Sequence, residues 1–299
     1  MKILDFGSIN LDFTYQVDHH VKTGETITSL NRTVFPGGKG YNQAVALGRA
    51  GAEGVFFACR LGKDGDFLIP ICSDAGVDTR YMEITDLPTG QGIIQLNREG
   101  DNCIILFPSA NRSIDEEFAD RVLKGFTGGD LLLLQNEISS LSYIIDKAYE
   151  KGMRIVMNPS PFDFRLKECD LTKIGIFMIN ETEGNQLTGK DDPEEILDEL
   201  KELYPETEII LTLGEKGSVY SYKDKRVYQS AYEVVPVDTT AAGDTFTGYY
   251  LASLLKGLSI EECLDTASKA SAMSVTVKGA IPSIPLYKDV MASDIRKRG

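Results

Sequence analysis

Apolar residues from Lys2 to Ile9 form a short run closed by polar Asn10 and Asp12, which predicts a first strand. From Phe13 to Phe35 the alternation is weak and turn residues recur at Thr23-Gly24 and Asn31-Arg32, as expected of small, partly exposed strands. Gly37, Gly38 and Gly40 make a flexible loop, and Tyr41 to Ala50 read as a helix that Gly51 ends. A strand over Gly54 to Cys59 and a helix over Asp66 to Ala75 follow. Two strand-like runs, Gly92 to Leu96 and Cys103 to Phe107, are joined by a turn at Arg98-Glu99-Gly100. This hairpin is expected to join the early small strands.

A βα rhythm then takes over, with strands at Leu131 to Gln135, Arg154 to Met157, Ile174 to Ile179 and Glu208 to Thr212. Between them lie helices at Leu141 to Glu150 and from Asp192-Pro193 to Leu203, the latter with proline at its first position. Short apolar strands alternating with amphipathic helices predict an α/β fold, a mostly parallel sheet covered on both faces, with ligands at the carboxyl ends of the strands. A hairpin through Lys223-Asp224 follows. Ser259 and Glu262 form a capping box for a helix running to about Ser274, and Lys278 to Ser283 are irregular. Polar backbone in that last segment needs partners; a monovalent cation held by carbonyls and ordered water both supply them.

The segment with the most chemistry is Val237 to Leu255. Thr240, Ala241, Ala242 and Gly243 are small, Asp244 follows, and Phe246, Tyr250 and Leu254 recur at helical spacing. Free amides and the positive end of a helix dipole favour an anion such as phosphate, and small side chains let it approach the backbone. A carboxylate there makes chemical sense if its partner is a hydroxyl about to attack the phosphate. A capped helix with an ordinary acidic first turn has the same appearance. Asn10 and Asp12, two apart, face one side of an extended segment and are either hydroxyl binders or turn residues. Lys39 can reach an anion from its glycine loop, and Asn42 follows in the first helical turn. Gly184 to Lys190 (GNQLTGK) has P-loop spacing, but Asp191 stands where Ser or Thr would be required, so it reads as a short helix ending at Gly189. Leu213 to Gly217 form a second glycine loop, suited to adenine or ribose and equally to a plain tight turn.

Composition narrows the function. The 299 residues are 42% hydrophobic and 25% charged, as in ordinary soluble globular proteins, and suffice for one large α/β domain with a small appendage. A formal charge of −14 argues against nucleic acid and anionic membranes as partners. Neither a signal peptide nor a membrane span is read, so a cytoplasmic protein is expected. Five scattered cysteines without a C-x-x-C pair suggest neither a disulfide framework nor a zinc site, and two adjacent histidines, His19 and His20, leave little for a Ser-His or Cys-His nucleophile.

Taken in order, GSINLD, PGGKGYNQAVALGRAG, the asparagine and glutamate of NETE, TLGEKG and DTTAAGDTF resemble the ribokinase family of carbohydrate kinases, the phosphofructokinase-B type, over essentially the whole chain. The resemblance implies a ribokinase-like three-layer sandwich forming one domain over residues 1–299, with a discontinuous β lid from about 11–35 and 90–107 that also makes a homodimer contact. It implies ATP-dependent phosphorylation of a sugar's primary hydroxyl, D-ribose to D-ribose 5-phosphate. The alternatives are another pentose, a ketohexose or a nucleoside as substrate, or a non-catalytic sugar- or nucleotide-binding regulator.

The implied roles are these. Asp244 is the base, and the amides of Ala241, Ala242, Gly243 and Asp244 hold the charge on the transferred phosphate. Asn10, Asp12, Gly38, Lys39, Asn42 and Glu137 bind the sugar. Asn180 and Glu183 are associated with magnesium and phosphates, Thr212, Gly214, Gly217 and Gly243 with the nucleotide, and Ser268 with the adenine pocket. Asp238, Thr240, Ser274, Val277, Gly279 and Ser283 form a potassium site, partly through carbonyls. Tyr41 stands where the family usually has alanine, and Phe107-Pro108-Ser109 replaces a smaller approach to Ala110-Asn111; both are expected to reshape the sugar pocket. A sugar phosphate is not expected as substrate, because Lys39 is the only basic residue read near the sugar motifs.

Overall fold

The computed structural model describes residues 1–298. Its strands are β1 (Ile3–Phe6), β2 (Asn10–Gln16), β3 (Asn31–Gly37), β4 (Val55–Gly62), β5 (Asp78–Thr85), β6 (Gly90–Leu96), β7 (Asn102–Phe107), β8 (Leu131–Gln135), β9 (Arg154–Asn158), β10 (Ile176–Asn180), β11 (Glu208–Thr212), β12 (Ser218–Tyr222) and β13 (Lys225–Gln229). Its helices are α1 (Lys39–Arg49), α2 (Leu68–Asp74), α3 (Glu116–Leu123), α4 (Leu141–Glu150), α5 (Glu181–Thr188), α6 (Pro193–Leu203), α7 (Ala242–Leu255), α8 (Ile260–Ser274), α9 (Ala280–Ser283) and α10 (Tyr287–Ala292).

Nine strands form one sheet in the order β13-β12-β11-β10-β9-β8-β1-β4-β5, parallel from β11 to β5 and antiparallel at the β12–β13 hairpin. Period-two alternation divides its side chains between two cores. Ile3, Leu131 and Leu133 pack with α1, α2, α7 and α8, while Leu4, Phe6, Leu132 and Leu134 pack with α3, α4 and α6 on the opposite face. The result is three layers, helix, sheet and helix. One strand of the sequence reading shifts for a steric reason. β1 ends at Phe6 rather than Ile9 because the chain crosses α1 at Gly7, where an added Cβ would lie 2.7 Å from the Gly40 Cα. The chain then starts afresh as β2 at Asn10.

A second sheet of four strands, in the order β3-β2-β6-β7, stands off the first. Its outer pairs are antiparallel and its central β2–β6 pair is parallel. Gly37 pairs with Asn10, and Gly92 with Asp12. A Cβ at either glycine would collide with the Asp12 carboxylate, so missing side chains on the neighbouring strands make the room that Asp12 occupies. The GNQLTGK segment lies in α5 and ends at Gly189 in the left-handed conformation, as read. No helix among the described residues is long and apolar enough to cross a membrane.

Candidate active site

The chain leaves β1 to build β4 and β5 on one side and returns to lay β8 on the other, so strand order reverses between β1 and β8. In such sheets the crevice at the carboxyl ends at that point is where ligands sit. Ser8 and Asn10 follow β1, Gln135 ends β8 and Glu137 follows it.

Asp244 sits there, 7% exposed, in the first turn of α7. The residue before that helix, Ala241, has φ 61°, a left-handed conformation that non-glycine residues rarely adopt. The turn it makes leaves the amides of Ala241, Gly243 and Asp244 without a backbone acceptor, whereas the Ala242 N–H donates to the Thr239 carbonyl at 3.2 Å. Ala242 is therefore the least available of the four amides expected to meet an anion. The Asp244 carboxylate accepts from Asn42 Nδ2 at 2.9 Å and from Gln43 Nε2 at 2.8 Å. Both donors ride on α1, which approaches α7 so closely that a Cβ on Gly248 would strike Ala46. Hydrogen bonds to a charged acceptor are worth about 1.5–3 kcal/mol each, so the carboxylate is held in one orientation.

Behind it runs a buried polar chain that the sequence reading did not foresee. Gln43 Oε1 accepts from Gln135 Nε2 at 2.8 Å, and the same Nε2 donates to Asp5 Oδ1 at 3.1 Å. Asp5 is fully buried on β1, facing the α1 and α7 layer. Burial pushes its carboxyl well above the usual carboxylate range; the bond from Gln135 opposes the rise and the charge of Asp244 adds to it. Asp5 thus anchors two amides whose orientation ends in an N–H group aimed at Asp244.

The residues expected to bind the sugar converge in front of Asp244. Glu137 Oε2 accepts from the Lys39 backbone N–H at 3.0 Å and from the Ser8 hydroxyl. Gly38, with φ 91°, lies so near Ile9 that a Cβ would be 2.9 Å from its Cα, which lets α1 start against β2. Burial alone would lower the Lys39 ammonium, but Asp244, Glu137 and Glu183 together outweigh it and hold Lys39 above the ordinary lysine value. Asp12 is pushed up from 3.8 to about 7 by burial first and then by the charges of Glu137 and Asp244. Asn10 Oδ1 accepts from Asn111 Nδ2 at 2.8 Å, and Asn111 Oδ1 accepts from the Ile9 N–H. Asn42 Oδ1 is buried without a partner, an acceptor free for a hydroxyl.

Two expectations about this pocket are corrected. Tyr41 does not reach it: the side chain is fully buried in the core, tilted against Phe57, and its hydroxyl donates to the Leu68 carbonyl at 2.8 Å. Nor is Lys39 the only base nearby, since Arg112 and Arg165 line a cavity of about 230 Å3 shared with Asn10, Glu137 and Phe107.

On the other side of Asp244, a cavity of about 210 Å3 is lined by Lys39, Asn158, Asn180, Glu183, Thr212 and residues 241–244. It continues into an apolar cleft of about 430 Å3 with Gly214, Gly217, Ala272, Val275 and Ser268 in its walls. Asn180 and Glu183 form a reciprocal capping box on α5, and Asn158 Nδ2 donates to Glu183 Oε2 at 3.2 Å. Asn158 Oδ1 and Ser268 Oγ are buried without partners, one in each cavity. The cation-site residues are only partly drawn together. Asp238 accepts from the Thr240 N–H and hydroxyl and from the Gly279 N–H, and the Val277 N–H donates to the Ser274 carbonyl. Ser283 turns its hydroxyl to the Ala280 carbonyl; with Val277 it lines a separate cleft of about 850 Å3 against Arg49 and Pro285.

Asp244, the first glycine loop and the residues expected at the nucleotide meet in one crevice, as does Asn158, a polar residue at a strand end; the sequence reading did not single out Asp5, Gln43, Arg112 and Gln135. Gln43 stood one residue beyond Asn42 inside a quoted motif. The others lie at strand ends or in loops, and only contacts far along the chain reveal them.

A carboxylate at an amide-rich helix start, between a polar cradle and an apolar cleft, defines a phosphotransferase acting on an alcohol. The chain belongs to the pfkB family of carbohydrate kinases, whose sequence profile matches residues 2–286. It is 34% identical over 298 residues to ribokinase from Haemophilus influenzae, covering 95% of each chain, and 30% identical over 297 residues to a deoxyribokinase from Salmonella typhi, covering 95% of this chain and 96% of that one. The structure of Arabidopsis thaliana ribokinase complexed with ribose and ATP superposes with a TM-score of 0.84 at 30% identity, covering 97% of each chain. The protein is an ATP-dependent sugar kinase with the ribokinase fold.

Proposed function

We propose that the protein transfers the γ-phosphoryl group of ATP to the primary hydroxyl of D-ribose, giving D-ribose 5-phosphate and ADP. The observation that carries this reading is the placement of Asp244 between a cradle of hydroxyl-binding side chains and the free amides at the start of α7. A relative at 34% identity is a ribokinase, and a relative with ribose and ATP bound shares the fold.

Asn10, Asp12, Gly38, Lys39, Asn42 and Glu137 hold the sugar so that its terminal hydroxyl faces Asp244. Asp244 takes the hydroxyl proton as the oxygen attacks phosphorus. A carboxylate is a weak base, but in a loose transition state proton transfer is late and orientation counts for more than basicity. The Asn42 and Gln43 bonds supply that orientation. The amides of Ala241, Gly243 and Asp244, with Lys39, meet the charge on the transferred group. Thr212, Gly214, Gly217 and Ser268 bound the nucleotide cleft.

Asn180 and Glu183, with the unpaired Asn158 Oδ1, offer oxygen donors that would suit hydrated magnesium, which would supply positive charge to offset that of the phosphates. Asp238, Thr240, Ser274, Val277, Gly279 and Ser283 offer carbonyl and hydroxyl oxygens with one carboxylate, a set that suits potassium better than a divalent ion. Potassium there would act by fixing the loop that carries Ala241. The chain works as one kinase domain whose lid is the four-stranded sheet, and the exposed apolar strand β7 pairs two lids in a homodimer. Reduced cysteines and ATP as co-substrate agree with a cytoplasmic enzyme.

The test is coupled ADP release with ATP, magnesium and potassium, comparing ribose with no sugar and with other pentoses, hexoses and nucleosides. Ribose-dependent release is expected, falling when sodium replaces potassium. Turnover of nucleosides alone would refute ribose as the substrate, and an unchanged rate in sodium would remove the potassium site.

A further inference from the structure

Beyond the sugar cradle, at the end away from the nucleotide, lies the cavity of about 230 Å3 noted above. Its walls are mostly apolar, from Leu106, Phe107, Pro108 and Pro161, but two buried polar atoms in it have no partner: Arg112 Nε and Asn136 Oδ1. Arg165 beside them is ion-paired with Asp163, whereas Arg112 forms no ion pair among the described residues. Burial holds the Arg112 guanidinium below its ordinary value, against the opposing pull of Asp163 and Glu137. Asn136 is 1% exposed, and its N–H groups are committed to the Pro161 carbonyl at 2.6 Å and to Asp163 Oδ1 at 3.1 Å. Its Oδ1 therefore cannot be turned away. A half-buried guanidinium and a fixed amide oxygen, both unpaired, cost free energy unless a ligand meets them.

We propose that Arg112 and Asn136 form an anion subsite continuous with the sugar cradle, which receives the carboxylate of a sugar acid while the acid's terminal primary hydroxyl lies at Asp244. The inference rests on the sugar-kinase reading and extends its substrate range. The planar fork of arginine matches a carboxylate in bidentate fashion, and Asn136 Oδ1 accepts from a neighbouring hydroxyl. Glu137 and Asp163 border the same cavity, so a single negative charge is matched by the one unpaired guanidinium, and a phosphate dianion meets excess repulsion. Asn10 and Glu137 lie in the wall between, where they suit the intervening hydroxyls. The chemistry is unchanged: the terminal hydroxyl oxygen forms a bond to the γ-phosphorus, the bond from that phosphorus to the β-phosphate oxygen breaks, ADP leaves, and the hydroxyl proton passes to Asp244.

The experiment measures ADP release from ribose, D-gluconate, 2-keto-D-gluconate, the neutral hexose D-fructose and fructose 6-phosphate, with the native enzyme and with Arg112→Leu and Arg112→Lys. Native enzyme is expected to phosphorylate at least one of the acids with kcat/KM above that for fructose. In Arg112→Leu the ratio of acid to ribose kcat/KM should fall roughly tenfold to a hundredfold, mainly through KM, the loss expected for a charge-assisted hydrogen bond. Arg112→Lys should recover part of it. Turnover of ribose without any acid overturns the proposal and leaves the sugar-kinase reading standing, as does an unchanged ratio in a folded Arg112→Leu protein. A preference for fructose 6-phosphate over both acids overturns the carboxylate assignment. Silence with ribose, the acids and both fructose compounds overturns this inference together with the reading beneath it.

Discussion

The two sheets of this protein are both built from apolar stretches, yet one is covered on both faces and the other is not. In the central sheet β1 and β8 are buried along their whole length. In the small sheet every residue of β7 is exposed, with Ile105 at 62% and Phe107 at 49%. Helices on both faces bury the first, as a parallel sheet requires. The second has an open edge whose N–H and C=O groups and side chains await another surface. The proposed site draws on both: Asp244 and its holders belong to the covered layers, while Asp12 projects from the uncovered sheet.

The sharpest way to break that division is to disable the covered side alone. Asp244→Asn should cut kcat by about two to four orders of magnitude, the range for loss of a general base, while ATP binding by calorimetry persists. Near-native turnover in that variant would remove Asp244 from its assigned role.

On the other side, acidity should weaken sugar binding. With Asp12 titrating at about 7, the sugar KM should rise as pH falls through that value, approaching tenfold per pH unit below it, because a protonated carboxyl accepts poorly from two hydroxyls. Stability should move the opposite way. A carboxyl raised above its unfolded 3.8 favours the folded state where it is protonated, so Asp12 contributes more to stability as pH falls from about 7 toward 4. Asp12→Asn, with no proton to gain, should flatten both trends. A KM profile that is level between pH 6 and 8 in the native protein would refute this account of Asp12.

The smallest effect should come from Ile105→Lys on β7. If lids pair through that strand, sedimentation should show dimers giving way to monomers, with at most a few-fold rise in sugar KM and little change in thermal stability. A native protein that is monomeric at all accessible concentrations would refute lid pairing.

The same division explains what was legible in the sequence. Strands β8 and β11 match their readings because they are apolar runs, α4 because Leu141, Ile144, Ile145 and Ala148 recur at helical spacing, and α6 and α8 because Asp192-Pro193 and the Ser259–Glu262 box cap them. The edge strand β5 went unread because its burial is patchy, and α3 because it is only eight residues long, although Asp115 caps it by accepting from the Phe118 N–H. In the site, residues in glycine loops and at helix starts were found because those signals are local, although Gln43 beside Asn42 was not. The Asp5–Gln135–Gln43 chain spans separations of 130 and 92 residues, and no local pattern marks it. Arg112 escaped for the same reason, as did the inward burial of Tyr41.

The close contact of Gly248 with Ala46 has a consequence for how such an enzyme diversifies. Because it packs Asp244, the proposed base, together with its two amide holders, mutations in the small sheet and in the loops around Phe107 and Arg112 can alter which molecule is admitted without realigning that carboxylate. Substrate preference and catalytic competence can then drift separately, and a duplicated gene could acquire a new substrate through changes at the rim while its reactive centre stays intact.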